Sequence, residues 1–356
     1  IRFPLHGFVQ PVMFFGKEAL NLRPYITRTM KKKIALIAGG DSSEWKIALE
    51  GAALIEQVLD TDKYDVYKIV LHDGRWTYTA PDGATTELDR NDFTLTLGGR
   101  RIRLEYALIL IHGTPGEDGR LQGYLDMMRI PYSSCGFVTS VITFDKAACK
   151  RALHGAGLNM AREILLDRHS QVDPDEVIGR LGLPLFVKPN ASGSSFGVTK
   201  VKTREQLLPA VEAAFAESDH VLMEECIDGR EISCGVMIDG GREYLFPITE
   251  LVCQSEFFDY KAKYQGFSKE ITPADLDERT VKKVNAMTLA AYKKLNCRGV
   301  VRIDFIVRDG EPYFIEVNTI PGMSAHSIIP QQAAAMGMSM SELFDLIIEE
   351  TSQAQP

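Results

Sequence analysis

The sequence lacks the features that mark membrane, disulfide-stabilised and nucleic-acid-binding proteins. It has no run of about 18 apolar residues, the length that a transmembrane helix needs. Its six cysteines form no CxxC pair and no metal-ligand spacing, so free thiols in a reducing cytoplasm are expected rather than a disulfide framework. The net charge is −8 and no basic stripe stands out, which argues against a nucleic-acid partner.

Several nucleotide-binding signatures are also missing. The chain has no G-x-G-x-x-G fingerprint, although a strand, Gly39-Gly40 and a helix follow one another as in that motif. It has no Walker A loop, because no Gly-Lys-Ser/Thr ends the Gly/Ser segment at 190–198. The HRD and DFG signatures of kinases are absent as well, which disfavours a sugar or protein kinase.

The length and the strand–helix pattern indicate more than one domain. At 356 residues the chain is long for one hydrophobic core, and two or three domains are expected. Residues 1–29 show neither signal-peptide order nor helix or strand periodicity, so we interpret them as a poorly ordered or non-native extension before Met30. Alternating strands and helices predict an N-terminal α/β domain over 30–134. Two further units are expected at 135–224 and 225–356, which gives an α/β (α+β) chain of three domains.

The segment at 299–330 carries the densest set of chemically useful side chains. It reads as two strands around an Asp-Gly turn, followed by a Pro-Gly loop. Because side chains alternate along a strand, Arg302 and Asp304 share one face of the first strand, and Glu316 and Asn318 share one face of the second. The opposite faces carry apolar side chains that we expect in the core: Ile303, Phe305 and Val307, then Tyr313, Ile315 and Val317.

The length of the turn decides which side chains of this hairpin meet. A two-residue loop at 309–310 would place Asp304 opposite Ile315, on the apolar face. A three-residue loop at 309–311, with glycine in the left-handed position, places Asp304 opposite Glu316 instead. We therefore predict the three-residue loop.

That register gathers three oxygen ligands beside a guanidinium. Asp304, Glu316 and Asn318 form an all-oxygen cluster, the ligand set expected for Mg²⁺ with bound phosphates. The same register pairs Arg302 with Asn318. The alternative is a solvated strand face with ordinary charges.

Two polar residues follow buried strands in the N-terminal part of the chain. Glu44 starts a helix, expected over 45–59, directly after a strand at 33–38, and His112 follows a strand at 106–111. Open α/β sheets bind ligands beyond the carboxyl ends of their strands, so both side chains are candidates for ligand contacts. Glu44 has a simpler interpretation as a capping carboxylate favoured by the helix dipole, and His112 as a structural loop residue.

The central part of the chain pairs two lysines with a Gly/Ser loop. Lys146 opens a segment at 145–157 that is expected to be helical, and Lys188 lies on a strand at 185–189. The loop at 190–198 offers backbone N–H groups and hydroxyls with little steric bulk, which suits it to cover phosphates. A flexible connection is the alternative.

An acidic pair and a long aperiodic segment complete the candidate features. Glu224 and Glu225 end an apolar run, where they could hold an adenine amino group or ribose hydroxyls, or merely cap a turn. Residues 253–273 contain aromatic residues and lysines without regular periodicity, which is typical of an active-site lid.

Taken together, these pieces resemble the ATP-grasp superfamily and, within it, the D-alanine–D-alanine ligase family. The resemblance covers 33–350 in order. Its most specific motifs are HGTPGEDG, DKAACK, FVKPNASGSSFGV, FFDYKAKY, RIDF and EVNTIPGMSAHS. It implies an ATP-grasp fold with an N-terminal Rossmann-like open sheet, a cytoplasmic enzyme of peptidoglycan precursor synthesis, and a homodimer.

The resemblance also implies which residues bind ATP and metal. Lys146 and Lys188 would contact the phosphates, with Lys188 also near the base. The remaining nucleotide contacts would come from Ser195, Glu224, Glu225, Ile227 and Glu231. Two Mg²⁺ ions, which Mn²⁺ could replace, would be held by Asp304, Glu316 and Asn318.

The remaining implied roles concern the two amino-acid substrates. Glu44 would bind the amino group of the first D-alanine, linked by hydrogen bonds to Ser194 and Tyr264. His112 and Lys263 would lie near substrate. The tetrahedral intermediate would be stabilised by Arg302 and the Gly322 N–H, and the carboxylate of the second D-alanine would be bound by Ser327.

Three alternatives remain open from the sequence. A D-alanine–D-lactate ligase is one, although the tyrosine lid DYKAKY resembles dipeptide-forming rather than depsipeptide-forming ligases. Another ATP-grasp carboxylate–amine ligase is the second. The third, a non-catalytic nucleotide-binding regulator, is disfavoured because a pure binder need not keep Arg302 as an oxyanion donor.

Overall fold

A computed structural model describes residues 30–42, 44–191, 197–253 and 268–353. Strands and helices are mixed throughout these ranges, which confirms the predicted α/β class. Within them, no helix combines the length and the apolar character that a membrane crossing requires. The predicted extension at 1–29 and most of the predicted lid lie outside the described residues, as do residues 43, 192–196 and 354–356.

The first part of the chain forms an open sheet with the order β4-β3-β2-β1-β7 and a two-stranded β5-β6 ribbon. β1 pairs in parallel with β2, to which the helix α1 connects it, and in parallel with β7. The elements are β1 (Lys32–Gly39), α1 (Trp45–Val58), β2 (Tyr64–His72), β3 (Arg75–Thr79), β4 (Thr85–Glu87), β5 (Thr94–Leu97), β6 (Arg100–Arg103), β7 (Tyr106–Ile109) and α2 (Arg120–Met128).

The second part contains an antiparallel sheet with the order β11-β10-β12-β9. Its core lies between this sheet and the helices α5 (Pro174–Leu181) and α6 (Leu207–Phe215). The elements are α3 (Phe137–Phe144), α4 (Lys146–Ala152), β8 (Asn159–Met160), β9 (Glu163–Asp167), α5 (Pro174–Leu181), β10 (Leu185–Pro189), β11 (Thr199–Val201), a 3₁₀ turn (Arg204–Gln206), α6 (Leu207–Phe215) and β12 (His220–Glu225). The helix predicted over 145–157 thus ends earlier, at Ala152.

The last part forms a seven-stranded sheet with the order β16-β15-β13-β17-β18-β8, in which β14 also pairs with β13. β8 joins from the second part of the chain, in parallel with β18. The elements are β13 (Arg230–Asp239), β14 (Arg242–Leu245), β15 (Thr249–Cys253), β16 (Ser268–Ile271), α7 (Glu278–Lys294), β17 (Val301–Arg308), β18 (Glu311–Asn318), α8 (Ile328–Ala335) and α9 (Met340–Gln353).

The two faces of the seven-stranded sheet have different partners. Ile303 and Phe305 of β17 are fully buried and belong to the same cluster as Val284 and Tyr292 of α7. Burying such side chains stabilises the fold by about 1.5–3 kcal/mol each. The opposite face is therefore the one left to carry polar side chains.

The β17–β18 turn corrects one prediction from the sequence. Arg308 pairs with Glu311, so the loop has two residues, Asp309 and Gly310, and the predicted three-residue loop is wrong. Both loop residues have positive φ, 54° and 73°, as the preferred Asp-Gly turn of hairpins requires. The extra residue lies instead at a bulge, where the pairing shifts between Asp304 and Phe305.

The bulge preserves the predicted pairing near the charged residues and changes the apolar face beyond them. Asp304 pairs with Glu316 as predicted. Past the bulge the alternation of β18 is reversed, so Phe314 is buried in the core. Tyr313 and Ile315 are only half-buried, so the prediction that they lie in the core is wrong.

Candidate active site

A single face of the seven-stranded sheet presents the polar residues of the hairpin. Across β17 and β18, Arg302 is paired with Asn318 and Asp304 with Glu316. Across β13 and β17, Ser233 is paired with Asp304. Because paired residues of antiparallel strands point to the same face, these side chains form two adjacent polar rows.

Asp304 accepts hydrogen bonds from three side chains around it. Arg302 donates from Nε to Oδ1 at 2.9 Å and from Nη2 to Oδ2 at 2.8 Å. The Ser233 hydroxyl donates to Oδ1 at 2.6 Å, and Asn318 Nδ2 donates to Oδ2 at 2.9 Å. Burial alone would lower the pKa of Arg302, but its hydrogen-bonded pairing with Asp304 outweighs burial and raises that pKa.

The donor chemistry of these residues fits a hard cation. Asp304 and Glu316 contribute carboxylate oxygens, and the Asn318 amide directs its nitrogen at Asp304, which leaves the carbonyl oxygen as its second polar atom. Mg²⁺ prefers such oxygen ligands and binds through a few carboxylates together with substrate phosphates. The set can therefore hold Mg²⁺ beside a phosphorylated substrate.

Helix α4 brings Lys146 over this oxygen cluster. The Lys146 Nζ lies 3.7 Å from Glu316 Oε2. Asp145 caps the helix by accepting from the Ala148 N–H at 2.7 Å. Asn190, which follows β10, accepts a hydrogen bond from the Lys146 backbone N–H through its backbone carbonyl oxygen at 3.0 Å. This bond fixes the start of the helix against the strand that carries Lys188.

A second charged cluster lies on the face of the four-stranded sheet. Glu224 is 9% exposed and forms ion pairs with Lys188 and with Lys150, whose Nζ lies 2.5 Å from Oε1. Burial would raise the pKa of Glu224, but the two lysine charges outweigh it and lower the pKa to about 2. Glu224 is therefore ionised at any neutral pH.

Glu225, the neighbour of Glu224, points to a different partner. Its carboxylate accepts from the Arg162 backbone N–H at 2.8 Å and from Nε and Nη2 of the same residue at 2.8 and 2.6 Å. Burial opposes the shift, but the Arg162 hydrogen bonds and charge lower the pKa of Glu225. The carboxylate of Glu225 is therefore paired with Arg162 at the surface, although Glu225 also lines a cavity.

The N-terminal sheet contributes the loops that follow β1 and β7. The Ser42 hydroxyl donates to the His112 carbonyl at 2.9 Å and ties the two loops together. Glu44 is the N-cap residue of α1, yet its side chain makes no capping hydrogen bond and is 9% exposed. Glu44 therefore lies at the helix start, where the dipole favours a negative charge, but its carboxylate caps α1 through no hydrogen bond.

Glu117 accepts from the Gly113 N–H at 2.8 Å, and burial raises the pKa of its carboxyl.

The Pro-Gly loop after β18 presents small groups at the start of α8. Ser327 is the N-cap residue of α8, and its Oγ lies 2.8 Å from the Ser324 Oγ. A Cβ at Gly322 would lie 2.8 Å from the Ser327 Oγ. Glycine is therefore required at 322 if the Ser327 hydroxyl is to keep its place.

These elements surround one cavity of about 620 Å³. Its apolar walls include Phe186, Leu251, Ile306 and Tyr313. Every predicted site residue that the structure describes lines this cavity: Glu44, His112, Lys146, Lys188, Glu224, Glu225, Ile227, Glu231, Arg302, Asp304, Glu316, Asn318, Gly322 and Ser327. The other predicted site residues lie outside the described ranges: Ser194, Ser195, Lys263 and Tyr264.

Sequence reasoning missed three residues that belong to the cavity or support it. Lys150 follows Lys146 by one helical turn, so i, i+4 spacing on α4 could have identified it. Ser233 lies two positions after Glu231, on the same strand face, and alternation could have identified it. Glu117 lies in the motif HGTPGEDG, in the loop that follows a buried strand, and that position could have identified it.

Comparison with known protein families accounts for most of the chain. A model described as the D-ala D-ala ligase N-terminus matches residues 33–135. A second model, the D-ala D-ala ligase C-terminus, matches residues 153–349.

Curated relatives and solved structures carry related names. A D-alanine–D-alanine ligase of Phocaeicola vulgatus is 47% identical over 90% of this chain and 99% of its own. One from Bacteroides fragilis strain YCH46 is 46% identical over the same shares. The VanG D-Ala:D-Ser ligase of Enterococcus faecalis has a TM-score of 0.81 at 30% identity and covers 90% of this chain and all (100%) of its own. The ATP-complexed D-alanine–D-alanine ligase of Bacillus anthracis has a TM-score of 0.74 at 31% identity, with coverage of 91% and 98%. These similarities confirm the predicted ATP-grasp architecture.

Proposed function

Because the chain belongs to the D-alanine–D-alanine ligase family and is an ATP-dependent ligase of that family, we propose that its cavity joins two D-alanine molecules through an acylphosphate. The product, D-alanyl-D-alanine, is a precursor for peptidoglycan synthesis. The observation that carries the proposal is the convergence of three chemistries in one cavity: oxygen ligands from β17–β18, lysines from α4 and β10, and the Arg302 guanidinium.

The reaction needs these chemistries because a carboxylate is a poor electrophile. In the first step, a carboxylate oxygen of one D-alanine attacks the γ-phosphorus of ATP, the bond to the β–γ bridging oxygen breaks, and ADP leaves. The acylphosphate carries phosphate as a competent leaving group. In the second step, the amine of the other D-alanine attacks the acyl carbon, loses a proton, and displaces phosphate. Positioning and charge neutralisation supply most of the catalysis of such phosphoryl transfer.

ATP is proposed to lie along the wall between the four-stranded and seven-stranded sheets. Lys146 and Lys188 face the phosphates, and the base packs against apolar side chains such as Phe186 and Leu251. Glu224, Ile227 and Glu231 line the same cavity and are proposed to bind the adenosine. A charged lysine beside a phosphate forms a hydrogen bond about twice as strong as a neutral one.

Two Mg²⁺ ions are proposed to be held by Asp304, Glu316 and Asn318, with Mn²⁺ as a possible substitute. When bound, such ions neutralise phosphate charge and orient the transferring group. Lys146, whose Nζ lies 3.7 Å from Glu316 Oε2, is proposed to share that task. Asp304 would exchange part of its present hydrogen bonding for the metal.

The first D-alanine is proposed to bind with its amino group at Glu44 and its carboxylate towards His112. Arg302 and the Gly322 N–H are proposed to stabilise the oxyanion of the tetrahedral intermediate. The side chain of Arg302 is held by Asp304, so it is oriented before substrate arrives. Such preorganised donors need no rearrangement during the reaction.

The second D-alanine is proposed to bind through its carboxylate at Ser327. The names of the curated relatives favour D-alanine as this substrate over D-lactate. One structural neighbour is named a D-Ala:D-Ser ligase, so the second position is where related proteins differ.

Incubation with ATP, Mg²⁺ and D-alanine tests this proposal, with phosphate release and mass spectrometry as readouts. We expect one phosphate for each D-alanyl-D-alanine formed, and little depsipeptide when D-lactate is added near neutral pH. A lack of ATP turnover with D-alanine would contradict the proposal. Preferential depsipeptide formation would establish the D-lactate alternative.

Assembly and location are proposed on the same family basis. We propose a cytoplasmic homodimer that binds neither membrane nor nucleic acid. The net charge of −8 supports the last part, since nucleic-acid binders usually carry a basic patch. Light scattering of the purified protein measures the oligomeric state directly.

A further inference from the structure

Lys150 lies between two carboxylates that face each other across neighbouring strands. Glu224 of β12 is directly paired with Glu163 of β9. Like charges opposite each other in a sheet destabilise it. The Lys150 Nζ lies 2.5 Å from Glu224 Oε1 and 2.7 Å from Glu163 Oε2, so one cation serves both acids.

Lys150 is buried, and polar groups surround its ammonium. Its side chain is 5% exposed, and its ammonium also donates to the Ala161 carbonyl at 3.1 Å. Two of the three ammonium donors are directed at Glu224 and at the Ala161 carbonyl, and Glu163 lies at ion-pair distance without hydrogen-bond geometry. Lys150 is therefore a fixed charge of the fold.

Lys188 reaches the same carboxylate from the other side. Its Nζ forms an ion pair with Glu224 Oε2. In the proposed function, however, Lys188 contacts the ATP phosphates. If Lys188 moves from Glu224 to a phosphate, the negative charges of Glu224 and Glu163 repel each other unless a second cation stays beside them.

We propose that Lys150 is a positioning residue, which holds the Glu224 carboxylate for the nucleotide and balances its charge against Glu163, so that Lys188 can turn from Glu224 to the phosphates. This inference rests on the proposed function, because it concerns the nucleotide end of the same cavity. Lys150 itself does not line the cavity, and it acts only through Glu224 and Lys188.

A set of three variants tests this role: K150M, E163Q and K150M/E163Q. The probe is ADP with Mg²⁺, and its binding is measured by titration calorimetry. We expect K150M to weaken binding by about tenfold or more, the loss typical of one charge-assisted hydrogen bond. E163Q alone should change binding little, because Glu224 keeps both lysines.

The double variant distinguishes charge balance from simple packing. If Lys150 balances the two acids, E163Q should restore part of the affinity that K150M loses, since it removes one of the facing charges. If Lys150 only fills space and bonds to Ala161, the double variant should bind no better than K150M, and that result would overturn the inference. Wild-type binding in K150M would overturn it as well.

Two further measurements keep the test decisive. Circular dichroism melting shows whether each variant is folded. Should K150M fail to fold, the inference requires that K150M/E163Q fold and bind ADP, and a double variant that also fails to fold contradicts it. Ligation of D-alanine by the wild-type protein tests the proposed function separately, so an inactive wild type cannot be confused with a wrong role for Lys150.

Discussion

Arg302 and Asp304, two positions apart on β17, form a two-pronged ion pair with N–O distances of 2.9 and 2.8 Å. The side chain of Asp304 is 9% exposed and that of Arg302 is 18% exposed. Strand alternation alone places them on one face, but the paired geometry fixes the direction of the guanidinium. The proposed metal ligand thereby orients the proposed oxyanion donor.

The first prediction concerns the loss of this guanidinium. Arg302→Ala should lower kcat by about 10²–10³, as for removal of one oxyanion donor, while ATP binding is largely retained. Arg302→Lys should be intermediate at best, because an ammonium keeps the charge but cannot form the two-pronged pair. Steady-state kinetics and nucleotide titration measure the two effects.

Arg204 offers a matched control for Arg302. It forms the same two-pronged contact with Asp175, at 2.8 and 2.9 Å, on an exposed surface. Arg204→Ala should leave kcat unchanged, since exposed ion pairs contribute little. Equal losses in both variants would mean that the Arg302 effect is general destabilisation.

The second prediction concerns the proposed metal ligands. Glu316→Gln keeps the shape of the side chain but removes its charge, so about tenfold more Mg²⁺ or above should be needed for half-maximal turnover, since losing even a group that only supports a metal ligand costs about 10–100-fold. Glu311→Gln is the control, because Glu311 lies at the other end of β18 and pairs with Lys283. An unchanged Mg²⁺ requirement in Glu316→Gln would argue against a role in metal binding.

The β17–β18 hairpin shows what sequence patterns can and cannot predict. The three-residue loop predicted the pairing of Asp304 with Glu316, and the structure confirms this pairing but not the loop, because a bulge supplies the extra residue. The same reasoning assigned the extra residue to the turn, although Asp-Gly already favours a two-residue turn. Bulges depend on packing across the sheet, which no local pattern records. Because the bulge was not predicted, Tyr313 and Ile315 were wrongly assigned to the core.

Supporting residues were the least predictable part of the cavity. Glu44 and His112 could be found because they follow buried strands, where sheet ligands bind. Gln332 could not be found, because its partners Ser233, Gly235 and Thr249 are distant in sequence. Contacts of this kind are fixed by tertiary packing alone.

The third prediction concerns the acid sensitivity of Glu224. Its pKa in the folded protein is about 2, below the ordinary 4.5, despite burial, because of Lys188 and Lys150. A lowered pKa stabilises the fold above the unfolded value and loses this effect as pH falls towards the folded value. The stability difference between wild type and Glu224→Gln should therefore be largest above about pH 5 and shrink on acidification.

Urea unfolding at several values of pH between 3 and 6 measures this difference. Glu225→Gln is the neighbouring control, since Glu225 also has a lowered pKa but pairs with the exposed Arg162. Its pH-dependent change should be smaller, because solvent screens that pair. A pH-independent difference for Glu224→Gln would show that its carboxylate does not stabilise the fold through its charge.

The fourth prediction concerns Gln332, which links α8 to the polar face of the seven-stranded sheet. Gln332 is fully buried, and its Nε2 donates to the Ser233 carbonyl and to Thr249 Oγ1, each at 3.0 Å. Its Oε1 accepts from the Gly235 N–H at 3.1 Å. Because Ser233 in turn donates to Asp304, this one amide supports both the proposed metal ligand and the helix that follows Ser327.

Gln332→Leu keeps a similar volume but removes all three hydrogen bonds. The free energy of unfolding should fall by about 1–3 kcal/mol, because buried groups of β13 and β15 lose their partner. Gln331→Leu is the control: Gln331 is half-buried and bonds to Glu270 and to the His326 carbonyl, so its loss should be smaller. Urea unfolding measures both, and an unchanged slope would show that the unfolded states are comparable. Since α8 begins directly after Ser327, Gln332→Leu should also raise the KM for D-alanine more than that for ATP. An equal rise in both would mean that Gln332 stabilises the fold without placing Ser327.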